Sequence, residues 1–492
     1  MNNKRVGAVA AAVAVVVAAY GGATWYLGQR VQAGYQDAVA ELRKALGDGA
    51  VVSSDYDKGF FSSRARLVLQ WAPPAAEEGA PAPTPLRMIV DTVVRNGPLA
   101  GARVAAAVAD YRFTLEGLDD QARASLAKAP APELKSVHHL TGSHDLHLRL
   151  PAGEAAGGDG VVLRWQEMVT DMAIGRDGRH LQGRFRWPEF SMTGLPDSAA
   201  QAAAEEEEEE ENDADETASA GPVDRTSITV EGMEGRFDYV PIDGLWGIGP
   251  GKTDMRFARV LASVHPAEGG DPRPRLDVKN AAAVYAIDAT GSTLGMTTTM
   301  NATGRIGPLD FESIGLEEKI QRIDIEALRN LQRTMLDGYR AGGIAQAMAS
   351  MEERGAAVLT ENAPRLVAAL PAYSMKMKAT YQGRTGALEY GAEVKRAPSD
   401  AEVAKSGWVP ALMQTSELQA SARVPRAWAQ PLVQSMGRPD ARPQDVDAMV
   451  AMAQSSGYLL EDGEFLTSAI QWRPGQLTLN GKPLPVPFGA AR

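Results

Sequence analysis

The sequence predicts an α+β protein: a single N-terminal transmembrane helix, then a large, mostly antiparallel β-rich body with a helical insert. Three observations predict it. Val6 to Leu27 is a run of 22 residues without a charge; at about 1.5 Å per helical residue it reaches roughly 33 Å, enough for a bilayer core of about 30 Å. Beyond residue 50, apolar and polar residues alternate in short runs separated by glycine turns, the period of half-buried strands joined as hairpins. Near residue 320 the period changes to that of a helix.

The chain is taken in order from its start. Lys4 and Arg5 precede the apolar run, and the positive-inside bias holds residues 1–5 in the cytoplasm while the rest crosses. Trp25 and Tyr26 close the anchor, 6–27, where aromatic rings favour the headgroup region. A cleaved signal peptide is the competing reading, with Gly21 and Ala23 as the small residues of a cut, but its apolar core is usually only about 7–15 residues. Val31, Tyr35, Ala38, Val39, Leu42 and Leu46 then recur at helical spacing. They predict an amphipathic helix over 28–48, continuous with the anchor and ending at Gly47 and Gly49. Its stripe can dock on the chain's own body or on a second copy, which is the basis for a homodimer.

A first β-rich region is expected over 50–197. Phe61, Ser63, Ala65, Leu67, Leu69 and Trp71 share one face of its clearest strand. Further runs are 86–95, 111–115, 144–150, 161–174 and 180–192, with 73–85 a Pro-rich loop. An acidic disordered linker is expected over 198–224, then a second β-rich region over 225–315 with a hairpin, 283–289 and 293–303, turning at Gly291-Ser292. The helical insert is placed at 316–371. Asp324 caps it, Leu328, Leu331, Met335 and Tyr339 line one side, and Gly342-Gly343 and Pro364 interrupt it. The α+β region 372–492 opens with a hairpin across Gly383-Arg384, its Tyr373, Met375, Met377, Ala379 and Tyr381 facing one way. A last helix carries Val446, Met449, Val450 and Ala453. Strands 465–472 and 476–479 lead to an Asn480-Gly481 turn and an extended tail with Pro483, Pro485 and Pro487.

Composition excludes some classes of function. Cysteine is absent, so an exported body has no disulfide framework and no thiolate metal site. The net charge of −12 is local: Glu205 to Glu211, Asp213, Asp215 and Glu216 account for all but −2 of it. A nearly neutral body has no footprint for nucleic acid.

No motif assigns a catalytic, cofactor-binding or metal-ligating residue. Gly247 to Thr253 looks like a phosphate loop, but the first glycine of that loop would fall at Trp246, and 254–261 reads as a strand where a helix is required. His138, His139, His144 and His147 cluster in sequence, yet His144 and His147 project to opposite faces of one strand, and His138 and His139 diverge if extended. The polyglutamate run lacks the scaffold that a strong calcium site needs. Neither a Gly-x-Ser-x-Gly elbow nor a His-Glu-x-x-His pair occurs.

Two motifs at opposite ends of the body complete the reading. Tyr56-Asp57-Lys58-Gly59-Phe60-Phe61-Ser62-Ser63 stands behind the anchor; Tyr458, Glu461-Asp462-Gly463, Trp472 and the run Gly475 to Pro485 stand at the C-terminus. Together they resemble the YdgA-like family of bacterial inner-membrane-anchored periplasmic proteins, a domain of unknown function. The resemblance implies a single-pass inner-membrane protein with its bulk in the periplasm, and it brings no catalytic residues. Tyr56, Phe61 and Trp472 are expected in the core or packed on the sheet. The expected function is a non-enzymatic envelope organisation scaffold without cofactors, touching inner-membrane lipid through residues 6–27. The alternatives are a lipid or apolar-ligand binding and transfer module, and then a periplasmic hydrolase. A sealed core would favour the scaffold, and a continuous uncovered apolar groove the lipid module.

Overall fold

The computed structural model describes residues 3–71, 85–101, 103–118, 120–157, 160–196, 224–245, 247–267, 269–435 and 441–485. Helix α1 (Asn3–Leu46) is one element through the expected anchor and the amphipathic stretch. Its stripe docks on the chain's own sheet: Val39 is buried with Val51 and Leu69, flanked by Tyr35 and Leu42, and Val31 packs on Val94, Ala107 and Ala109. The helix stops at Gly47, whose φ of 90° suits a residue without Cβ. Among the described residues no helix is long and apolar enough to cross a membrane. The side chains of 1–18, which include most of the expected span 6–27, are not described.

The body is built on one 22-stranded sheet whose ladders are all antiparallel. Strand β1 (Val51–Asp57) pairs with β2 (Ser62–Trp71), and β2 with β3 (Leu86–Asn96). A small separate ribbon, β4 (Leu99–Ala100) and β5 (Arg103–Val104), intervenes before β6 (Ala107–Glu116) returns alongside β3. Helix α2 (Asp120–Ser125) leads to β7 (Glu133–His138) and β8 (His144–Leu150). Next come β9 (Gly153–Ala156), β10 (Val162–Trp165), β11 (Met168–Ile174) and the long β12 (Leu181–Pro196). One edge of β12 holds β11 along its first half and β10 along its second. The single run expected over 161–174 is thus two strands.

Five long strands follow as a meander: β13 (Arg225–Tyr239), β14 (Gly251–His265), β15 (Arg273–Thr290), β16 (Thr293–Ile306) and β17 (Leu309–Asp324). Because Pro196 pairs with Arg225, the two β-rich regions on either side of the acidic segment are one sheet. The acidic run itself lies outside the described residues, as do 72–84 and the tail beyond 485.

The insert begins later than its expected start at 316. Leu316, Ile320 and Ile323 fall at helical spacing, but 316–324 are held in the ladder beside β16, so the strand wins until Asp324, whose carboxylate accepts from Ala327 N at 2.9 Å as N-cap. Helix α3 (Ile325–Ala368) then keeps helical hydrogen bonding through Gly342-Gly343 and Pro364, where interruptions were expected. Glycine costs a helix about 1 kcal/mol and proline about 3, which a long docked helix tolerates. It is nevertheless folded back on itself. Asn330 Nδ2 donates to Asn362 Oδ1 at 2.8 Å, whereas a straight helix would hold those residues roughly 48 Å apart. The glycine pair falls inside the stretch that must reverse. The base of this hairpin packs Ile325 and Leu328 on Leu245 and Leu294. Further along, Tyr339 accepts from Trp71 Nε1 at 3.0 Å, and Arg340 caps the α1 carbonyls of Lys44 and Ala45.

The chain re-enters the sheet as β18 (Ala372–Tyr381) and β19 (Arg384–Val394), joined by Gln382 and Gly383 with φ of 51° and 69°, the geometry of a type I′ turn. Helices α4 (Asp400–Ser406) and α5 (Trp408–Met413) precede β20 (Ser416–Pro425); α6 (Ala429–Ser435) and α7 (Pro443–Ser455) follow it. Val446 and Val450 of α7 are buried against Leu466. Strands β21 (Leu460–Asp462), β22 (Phe465–Arg473), β23 (Gln476–Leu479) and β24 (Lys482–Leu484) finish the sheet. Pro483 therefore sits in an edge strand, where its missing N–H is tolerated.

Of the three motif residues expected to pack, Trp472 is buried and donates to Met413 O at 2.7 Å, and Tyr56 stacks on Tyr35. Phe61 does not pack inside. It lies one residue before β2, in a turn that carries it outward, and is 61% exposed.

Candidate functional site

Residues paired across an antiparallel ladder point to the same side of the sheet. The register can therefore be followed from strand to strand. Starting at Leu181, one row runs through Tyr239, Gly251, Ile287, Met296, Ile320, Tyr373, Ala392, Leu418, Trp472 and Leu477. It crosses eleven strands and meets no charge. The neighbouring row, on the opposite side, runs through Gln182, Asp238, Lys252, Ala286, Thr297, Lys319, Ser374, Gly391, Gln419 and Gln471. Along these rows the eleven strands have an apolar side and a polar side; one row further on, Glu318 stands on the apolar side and accepts from Tyr373 Oη at 3.0 Å.

Two details keep the apolar face continuous. Rings lie across glycines of the neighbouring strand: a Cβ on Gly235 would meet Phe185 at 2.5 Å, and one on Gly183 would meet Phe237 at 2.4 Å. A line of irregularities, with Gly232 at φ 62° and Asn280 at φ 50°, also crosses the long strands. Across it the apolar parity changes from Trp187 to Phe190, residues that a regular strand would put on opposite sides. Their rings are 5.0 Å apart, so the bulge returns both to one side.

This face is covered only in places. Helix α1 seals β1 to β6, and the base of α3 covers Leu294 and Ile287. Between them Leu181, Phe185, Trp187, Phe237, Met255, Phe257 and Tyr285 all remain partly open. Towards the C-terminus Met377, Tyr390 and Ile470 are 39%, 38% and 42% exposed. Shallow apolar recesses mark both stretches: one of about 200 Å³ between Phe237, Tyr239, Tyr285 and Ile287, and one of about 240 Å³ between Tyr390, Leu418, Ile470, Trp472 and Leu477.

A concavity of about 1100 Å³ lies on the polar face among Lys135, His147, Asp171, Arg184, Arg236 and Lys252. Several of its charges satisfy one another. Asp171 accepts from His147 at 2.7 Å and Arg184 at 3.0 Å, and Lys252 lies 2.8 Å from Asp254. The His147 and Arg184 contacts hold the Asp171 carboxyl below its usual range. This is the cross-strand ion pairing of a solvated face.

The histidines separate as the strand reading predicts, His144 on the apolar side and His147 on the polar side. The ladder also joins two that sequence spacing did not: His138 Nδ1 lies 2.7 Å from His144 Nδ1, with Ser136 Oγ 3.0 Å from His138 Nε2. Burial, then the neighbouring His144, pushes His138 down to about 4. Among the described residues no group of three metal-ligating side chains converges. The glycine run at 247–251 is a turn into β14; a Cβ on Gly249 would sit 1.9 Å from Val240 O, so close backbone approach explains that glycine. Sequence reasoning found runs over 180–192 and 283–289 but missed Phe185, Trp187, Phe237 and Tyr285 as one surface, because only the register lines them up.

Fold and face together define a class: a single-layer antiparallel β-sheet protein, polar on one side and open and apolar on the other. The chain belongs to the family described as Bacterial protein of unknown function (DUF945), which matches residues 2–487. No curated protein and no solved structure matches it.

Proposed function

We propose that the protein is a membrane-tethered binding module that holds lipid acyl chains on the open apolar face of its sheet, with Val6 to Leu27 as the tether. The observation that carries this reading is the uncharged row from Leu181 to Leu477, partly open along most of its length. A monomer seldom exposes a contiguous apolar patch beyond a few hundred Å² unless something binds there. An acyl chain laid on these rings would gain about 0.8 kcal/mol for each methylene taken out of water. Its headgroup would stay at the rim. The half-open face favours this reading over a scaffold with a sealed core. A hydrolase draws less support, because the carboxylates Asp171 and Asp254 of the polar-face concavity are taken up by His147, Arg184 and Lys252.

Native mass spectrometry of the full-length chain, extracted gently into detergent, tests the reading. Adducts with the mass of phospholipid are expected, and Phe237→Glu with Met255→Glu on the apolar face should abolish them. Lys378→Glu on the polar face should leave them intact. A bare chain throughout, or adducts indifferent to the apolar-face pair, would overturn the proposal.

A further inference from the structure

The turn between β1 and β2 presents aromatic side chains in an unusual way. Gly59 makes it tight, since a Cβ there would lie 1.9 Å from Ser62 O. Asn96, itself 2% exposed, pins it from below: its Nδ2 is 3.1 Å from both Gly59 O and Phe60 O. A buried amide thus holds a turn whose product is two phenylalanines facing outward, Phe60 at 48% and Phe61 at 61% exposure. Their rings meet edge to face at 4.8 Å.

The turn does not stand alone. Phe60 lies against α1 at Gly21, where an added Cβ would be 3.6 Å from its ring. Trp25 and Tyr26 on the same helix are 55% and 53% exposed. Lys58 sits over Trp25 at 5.5 Å and Arg30 over Tyr26 at 5.6 Å. Four outward aromatic rings and two cations therefore lie at one level of α1, the end of the uncharged run that begins at Val6, with Phe60, Phe61, Trp25 and Lys58 on the side of the turn and Tyr26 and Arg30 further round the helix.

We infer that this knot is a membrane-docking surface: Phe60 and Phe61 dip into the bilayer interface beside Trp25 and Tyr26, while Lys58 and Arg30 face lipid phosphates. The occupant is the bilayer because the knot is continuous with the apolar run that leads away from the body, and because rings flanked by cations match the boundary between acyl chains and anionic headgroups. Two contact points, helix and turn, fix the tilt of the body where one helix would leave it swinging. The inference rests on the tether proposed above.

The absence of cysteine makes the test clean. Phe60→Cys and Phe61→Cys each carry a nitroxide on the full-length chain in vesicles of phosphatidylcholine and phosphatidylglycerol, with Lys378→Cys as a solvent reference. Docking requires that both turn labels collide more often with dissolved oxygen than with a water-soluble nickel chelate, and that the Lys378 label show the reverse. Turn labels as water-exposed as the reference, on chains that survive a carbonate wash, would overturn the docking surface and leave the tether standing. Release of the chain by carbonate would overturn the tether and the docking surface with it.

Discussion

The N-terminal strands and the central strands carry the same alternation, yet the two regions end differently. On β2, β3 and β6 the apolar residues Ala65, Leu69, Val94 and Ala107 are buried, because α1 lies across them. On β12 to β15 the equivalent residues Phe185, Phe237, Met255 and Tyr285 are as large or larger, but none is fully buried. Strand pattern alone therefore does not decide what becomes core; the covering element does. Where a helix is supplied, the face is structural. Where none is, the same chemistry remains available to a ligand.

The largest expected effect comes from truncating one residue in each region. Leu69→Ala removes a sealed side chain and should cost about 2–4 kcal/mol, the range for buried leucine. Met255→Ala on the open face should cost less than about 1 kcal/mol, since water already reaches the site. Thermal unfolding of the two full-length variants in the same detergent reads the difference. Equal losses would mean that the central face is as closed as the N-terminal one.

A smaller effect is expected where the two regions meet. His138 follows Ala107 in register and precedes the open strands. It is held neutral, its pKa pushed down to about 4 mainly by burial, with the neighbouring His144 adding to it. In the unfolded chain it would titrate near 6.5. Its contribution is therefore fully present above about pH 6.5 and is lost as pH falls towards 4. The loss should be on the order of 2 kcal/mol, less than the full shift implies, because the ring keeps some contact with solvent. Urea titrations of wild type and His138→Gln across that interval check it: the variant should lose this part of the pH dependence. Parallel curves would place the acid sensitivity elsewhere.

Much of this was legible in the sequence, and the reason for the rest is physical. Alternation marked Ala65 to Trp71 and Tyr373 to Tyr381 because period two is a local property. Turns were legible where glycine must take positive φ, as at Gly383 and Gly481. Phe61 was misjudged because its alternation continues that of β2; only the Asn96 contacts, 35 residues away in the chain, set the turn that expels it. The reversal of α3 was not foreseen: Gly342-Gly343 was expected to interrupt the helix, and helical hydrogen bonding runs through it. The open face was not readable, since no single strand reveals which of its neighbours lacks a cover.

The smallest effect concerns the polar face of the long strands. Arg259 holds Asp277 through two contacts, Nε to Oδ1 at 2.7 Å and Nη2 to Oδ2 at 3.1 Å, across β14 and β15. The hydrogen bonds from Arg259 hold the Asp277 carboxyl below its usual range. The pair therefore stabilises above the ordinary carboxylate pKa and loses that as pH falls through the lowered one. Although its geometry is good, solvent screens it, and a double-mutant cycle of Arg259→Gln and Asp277→Asn should give a coupling of about 0.5–1 kcal/mol that shrinks with added salt. A value above about 2 kcal/mol, insensitive to salt, would mean that ion pairs rather than apolar rows set the register of the long strands. The open face would then be free to vary without consequence for the fold, and the uncharged row from Leu181 to Leu477 would need a ligand even more.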